Sequence, residues 1–419
     1  MCYNERKCVW RMISPWWKGI ILVTEKEKKG FKTVEADKEE LNNRLRERRM
    51  KMLKRAIEII LLVVVCVVGV EIIYALRSFD TYEIRNATER KSGSATQYVA
   101  FGDFLLEYSN DGISCIGRNN EVMWNQSFEM ISPQVEICND YITVFDAGGT
   151  EVFIMTESGL KKEIETTSPI QKACIAKQGT VAVLMKEDGK SQVKLFDVKG
   201  AELANGIFYD KKGGLPIDIA LSYDATKLAV DMIDVSGGKV STTISFYNFD
   251  TVGQNEIDNK VGEYTFDGIV VPEIDYVSDS KMVAMGTGKF IVFDGAQKPA
   301  VSKEIVIEQE ILSYFHNDTY FGVVYDNVEE EKYCHVKVMD FHGRTIMEND
   351  ISIIYDAIEF LSNNEICVRS VSECEIFTTH SIKKFSYTFD KELYKILSSN
   401  NGEIYTFIFK DTIEEVKLK

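Results

Sequence analysis

Two hydrophobic patterns divide the chain. From Tyr98 to the C-terminus, short apolar runs rich in Val, Ile, Phe and Tyr alternate with polar turns, and helical spacing is almost absent. Strand side chains point alternately to two faces, so such runs, punctuated by Gly, Asp and Asn, predict strands and tight turns. The second pattern is one long apolar stretch, Ile57 to Leu76, interrupted by Glu58, Gly69, Glu71 and Tyr74.

The strand pattern repeats. "PQVEICNDYITVFDAGGTEVFIMTESGLKKEIE" begins at Pro133 and "PIQKACIAKQGTVAVLMKEDGKSQVKLFDVKGAEL" at Pro169. "PIDIALSYDATKLAVDMIDVSGGKVSTTISFYNFD" begins at Pro216 and "PEIDYVSDSKMVAMGTGKFIVFDG" at Pro272. An opening copy starts at Tyr98, and weaker ones near Ile311, Asp356 and Leu393. A period of about 40 residues with four short strands is the signature of a propeller blade. One four-stranded sheet cannot bury both its faces, so blades stack radially, cover one another and close into a ring that hides its edges. The predicted fold is therefore all-β: a β-propeller over residues 98–419 with eight blades, or seven as the alternative count. An open β-solenoid or a sandwich pair is the rival architecture. The last copy offers only three strands, ending in "DTIEEVKLK", and "TYEIRNATE", residues 81–89, is the candidate strand to complete it.

As a helix at ~1.5 Å per residue, the apolar stretch covers ~30 Å, about one hydrocarbon core. Val63, Val64, Val65, Val67 and Val68 are poor helix formers in water, and the run is apolar all round, which argues against a buried helix. No small-x-small cleavage site follows, so an uncleaved signal anchor is expected, marked by Ile57, Leu61, Val65, Val70 and Leu76. Glu71 is expected near the outer interface with Tyr74, its alternatives being a protonated group or one facing a partner helix. Arg48, Arg49, Lys51, Lys54 and Arg55 crowd the N-terminal side, whereas only Arg77 and Arg85 follow closely. The positive-inside rule then puts the N-terminus in the cytoplasm and the C-terminal bulk outside the cell membrane. The expected order is a basic tail (1–56), a transmembrane helix (57–76), a juxtamembrane linker or closing strand (77–97) and an extracytoplasmic propeller (98–419). Either residues 1–30, with Trp10, Trp16 and Trp17, are an interfacial anchor, or residues 1–43 are an upstream extension of the reading frame.

Charge supports that division. The chain has 49 basic and 65 acidic residues, net −16; residues 1–76 carry +6 and the rest −22. So acidic a bulk excludes nucleic acid as ligand, because no basic stripe offers counterion release. The nine cysteines show no C-x-x-C spacing. Cys367 and Cys374 are either a cross-hairpin disulfide or two small buried hydrophobes.

"LSYDATKLAV", Leu221 to Val230, resembles the hairpins of WD40-like and TolB-like propellers, with Tyr223 and Ala225 in place of the usual Pro and Gly. More widely, the chain resembles a family of uncharacterised single-pass membrane-anchored proteins of Gram-positive, clostridia-like bacteria. Their domain of unknown function resembles a WD40-like or quinoprotein-like β-propeller. "YVAFGDFLLEYSNDG", "VMWNQSFEM", "EIETTSPIQK", "LPIDIALSYDATKLAV" and "FYNFDTVGQNEID" carry the resemblance, which covers residues 44–419 and implies no activity.

The chemistry is sparse. G-x-S-x-G, H-E-x-x-H and Walker patterns are missing, and "GTGKF" at Gly286 reads as a hairpin turn. Of the histidines His316, His335, His342 and His380, the pair in "CHVKVMDFHG" falls on opposite strand faces, so no shared metal is expected. Quinone-binding propellers carry a tryptophan in each blade, whereas Trp124 stands alone after residue 76 and is expected to pack between blades. Acidic turns such as "KEDGK" serve tight turns and show no calcium-loop series. The sequence therefore assigns no catalytic residue, cofactor or metal. It favours an anchored binding or scaffold module for a protein or cell-envelope ligand. The alternatives are a hydrolase or lyase of extracellular glycan or peptide, with paired carboxylates in the channel, and a transmembrane sensor.

Overall fold

The computed structural model describes residues 38–75, 77–90, 96–102, 104–117, 121–210, 213–326, 334–399 and 402–419. The chain divides into two units, residues 1–71 and 72–419.

The larger unit is eight four-stranded sheets. The inner strands of the eight blades are Gln97–Phe101, Pro133–Cys138, Ile170–Ile175, Leu215–Leu221, Glu273–Tyr276, Ile311–His316, Ala357–Phe360 and Leu393–Ser398. The repeat starts read from sequence fall at or next to these strands. Pro133 opens one strand, Pro216 is second in another, and Pro169 and Pro272 stand immediately before two more. Proline lacks an N–H, and a strand's first position is where that loss costs the ladder least.

In seven blades the strands follow one another from inner to outer; the eighth is closed by the other end of the chain. Tyr82–Glu89 pairs antiparallel with Thr412–Leu418, from Tyr82 opposite Leu418 to Glu89 opposite Thr412. Thr81 and Lys419 exchange backbone hydrogen bonds of 3.2 and 2.8 Å. Tyr82 lies among the rings of Phe385, Tyr387, Phe389 and Phe407, with centroids 5.0–6.4 Å away. One tyrosine thus ties the closing strand to both the seventh and the eighth blade.

The core lies between blades. Phe145, Val152 and Ile154 of the second pack with Ala173, Val181 and Val183 of the third, and the same arrangement recurs around the ring. Each large side chain so buried contributes roughly 1.5–3 kcal/mol. Trp124 joins the first blade to the second: its indole N–H donates to the Glu157 carbonyl at 2.8 Å and its ring covers Gly159. Cys367 and Cys374 are free and buried; Cys367 opposes Ile376 and Cys374 opposes Arg369, so the two are out of register for a disulfide.

Alternating strand direction gives the ring two faces. The seam face carries the turns between first and second and between third and outer strands, and Thr81 meets Lys419 there. The connector face carries the second-to-third turns and the blade-to-blade connections.

The smaller unit contains the helix Lys38–Ala75 except for its last four residues. Arg48, Arg49, Lys51, Lys54 and Arg55 are exposed on it, as are the expected anchor residues Ile57, Leu61 and Val65. Leu76 lies outside the described residues, as does the side chain of Val70. No helix among the described residues is long and apolar enough to cross a membrane, so the expected span is not among the features the structure shows.

Candidate functional site

The inner strands bring ionisable side chains together around the axis. On an inner strand, one set of alternate residues packs into the blades and the other turns to the channel. The second, third and fourth blades contribute Glu136, Lys172 and Asp218, the fifth Glu273 and Asp275, and the sixth Tyr314 and His316. The seventh and eighth add Glu359 and Lys395. Carboxylates outnumber lysines in this belt, so its field is negative.

Lys172 Nζ sits 2.8 Å from Glu136 Oε1. Burial alone would lower the pKa of this lysine, but Glu136 and Asp218 outweigh it and hold the ammonium well above its ordinary value. Asp218 accepts the Ile274 backbone N–H at 2.9 Å, across the gap to the next blade. Burial raises Asp218 to about 6 against the pull of Lys172. Behind it Asp231 is fully buried, with no hydrogen bond to either carboxyl oxygen. Burial first, and Asp218 second, raise Asp231 to about 8, so it is a neutral acid below that pH.

His316 Nε2 lies 3.7 Å from Glu273 Oε1 and 4.0 Å from Asp275 Oδ2. Burial opposes protonation of this imidazole, but the two carboxylates prevail and raise its pKa. The contact with His316 holds Glu273 below the usual range, against burial. Asp275 is raised to about 7, mainly by burial. Its side chain keeps 52% of its surface accessible, but that surface faces the protein-walled channel, so desolvation still governs the direction.

At the seam-face mouth, Glu359 Oε2 pairs with Lys395 Nζ at 2.6 Å. A cavity of about 450 Å³ opens there between the sixth, seventh, eighth and first blades. On the connector face an apolar arc crosses the fifth to seventh blades: Val306, Leu312, Ile354 and Val371 are 51–69% exposed. Exposed Glu308, Glu310 and Asp356 lie in the same connections, and exposed Asp390 and Glu392 in the next one on that face.

The belt holds charge and hydrogen-bonding capacity. No group of three or more His, Cys, Asp or Glu among the described residues is placed to hold a metal ion. His335 lies on the sixth blade, with Nδ1 2.7 Å from Asp350, and His342 sits in the turn capped by Asp340. Sequence reasoning missed the belt. Its linear trace is a charged residue at the third or fourth position of several inner strands.

No curated protein matches the chain. Among solved structures, BamB from Moraxella catarrhalis is similar at 13% identity and a TM-score of 0.47, covering 81% of this chain and all of its own. The WD40 domain of SCAP from fission yeast is similar at 10% identity and 0.49, covering 80% and 98%. The Neurospora crassa Pan2 WD40 domain is similar at 9% and 0.47, covering 82% and 97%. At these values none carries an argument about function. A family profile, by contrast, matches residues 75–418, nearly the whole propeller unit, and the chain belongs to that family, described as the Family of unknown function DUF5711.

Proposed function

We propose that this protein is a non-catalytic binding platform that docks a protein partner on the connector face of its propeller. The carrying observation is the arc of Val306, Leu312, Ile354 and Val371, exposed on consecutive blades and bordered by carboxylates. Exposed apolar side chains grouped within one sector mark association surfaces. The fitting partner presents apolar side chains ringed by lysine and arginine, whose charges the acidic border would steer and orient. We further propose that the apolar stretch 57–76 tethers the platform to the cell membrane with the ring outside. Ile59 to Val65 are each more than half exposed on the helix, a costly arrangement in water and a favourable one in lipid. The test of docking is a double substitution, Ile354→Asp with Val371→Asp, set against Ile257→Asp on the seam face. Co-purification of a reproducible partner should be lost only with the first; equal retention by both variants contradicts the assignment.

Glu273 and Asp275 favour a second function, hydrolysis in the channel. Carboxylates whose pKa values are driven apart are the usual signature of an acid and its counterpart. Here one is lowered and the other raised to about 7. Both, however, contact the same imidazole nitrogen, which neutralises charge rather than separating an acid from a base. Glycan or peptide cleavage abolished by Asp275→Asn, with the fold intact, would establish the hydrolase instead.

A further inference from the structure

The cavity at the seam-face mouth has a floor of unusual chemistry. Glu359 and Lys395 form an ion pair at 2.6 Å. The other oxygen of Glu359 is buried beneath the pair, 3.8 Å from the equally buried Arg369 Nε, which lies behind the cavity wall, and neither of those two atoms has a hydrogen-bond partner. On the rim, Asp318 is engaged through Oδ1 by the Tyr223 hydroxyl at 2.5 Å. Phe360, Leu361 and Leu397 supply apolar wall.

Charges of both signs thus stand side by side over an apolar wall. A simple cation would be drawn to Glu359 and Asp318 and repelled by Lys395; a simple anion would meet the reverse. A ligand carrying an ammonium and a carboxylate a few bonds apart satisfies both, and an apolar substituent covers the wall. A volume of about 450 Å³ lies within the range of small-molecule sites, roughly 300–1,000 Å³, and is too small for a folded segment.

We propose that this mouth binds a small zwitterion, an α-amino acid or dipeptide with an apolar side chain. The carboxylate sits at Lys395, the ammonium at Glu359 and Asp318, and the side chain on Phe360 and Leu397. The site lies at the opposite end of the ring from the docking arc and is independent of it.

Isothermal titration of the full chain in detergent tests this with L-leucine and L-alanyl-L-leucine, and with leucinamide, N-acetylleucine and N-acetylleucinamide. The zwitterions should give saturable binding. Blocking either charge should weaken it about tenfold, or ~1.4 kcal/mol, and blocking both should abolish it. Lys395→Met should erase the preference for leucine over leucinamide. Ala100→Phe, on the first blade's side of the cavity, fills the mouth while keeping both members of the ion pair and should abolish binding with circular dichroism and Tm unchanged; it decides alone if Lys395→Met does not fold. No saturable heat from any zwitterion, equal binding of the doubly blocked analogue, or unchanged binding in Ala100→Phe each overturns the proposal.

Discussion

The hairpin "LSYDATKLAV" shows what single residues contribute. The Ser222 hydroxyl donates to Asp224 Oδ1 at 2.6 Å, and Asp224 also faces the nearly buried Lys227 ammonium. Between them Ala225 occupies a left-handed conformation, φ 54°, which glycine adopts without strain and alanine does not. Ala225→Gly should therefore stabilise the ring by about 1 kcal/mol, read as a raised Tm. That a glycine was missing here was legible in the sequence; that the backbone kept the glycine geometry was not. Asp231 makes a second residue-scale case. Its folded pKa is raised from 3.8 to about 8, so the native state binds the proton more tightly than the unfolded chain. Its contribution to stability is fully present below about pH 4 and is lost as pH rises through about 8. Asp231→Asn removes that dependence, so the variant should exceed the parent in Tm at pH 8.5 by several degrees and differ little at pH 4; equal shifts at both would contradict this.

At the scale of elements, most strands were legible because period and proline phase repeat, and a repeat is read collectively where one strand is ambiguous. The channel belt was not legible. Alternate polar residues on a strand look the same in sequence whether they face bulk water or a lumen, and only ring closure separates Lys172 or Asp275 from polar residues at the rim. The closing strand is the element on which that geometry depends. Its Tyr82 meets aromatic rings from two blades, so Tyr82→Ala should cost ~2–4 kcal/mol, whereas Tyr82→Phe, which keeps the ring, should cost under ~1 kcal/mol. Urea denaturation checks both; a near-neutral Tyr82→Ala would mean that the seam is not a point of closure.

For the whole molecule, composition divides the chain after residue 76 and structure after residue 71: a basic segment with most of the helix, then an acidic ring. Tethering with the ring outside predicts that a membrane-impermeant amine reagent added to intact, wall-stripped cells labels Lys298 and Lys303 and spares Lys51 and Lys54. The reverse labelling would place the ring in the cytoplasm. Partner docking on the connector face is the central claim, and a photo-crosslinking residue placed in turn at Ile354, Val371 and Ile257 in living cells tests it most directly. The account predicts one reproducible protein adduct from Ile354 and Val371 and none from Ile257. Adducts from Ile257 alone, or from no position, would contradict it.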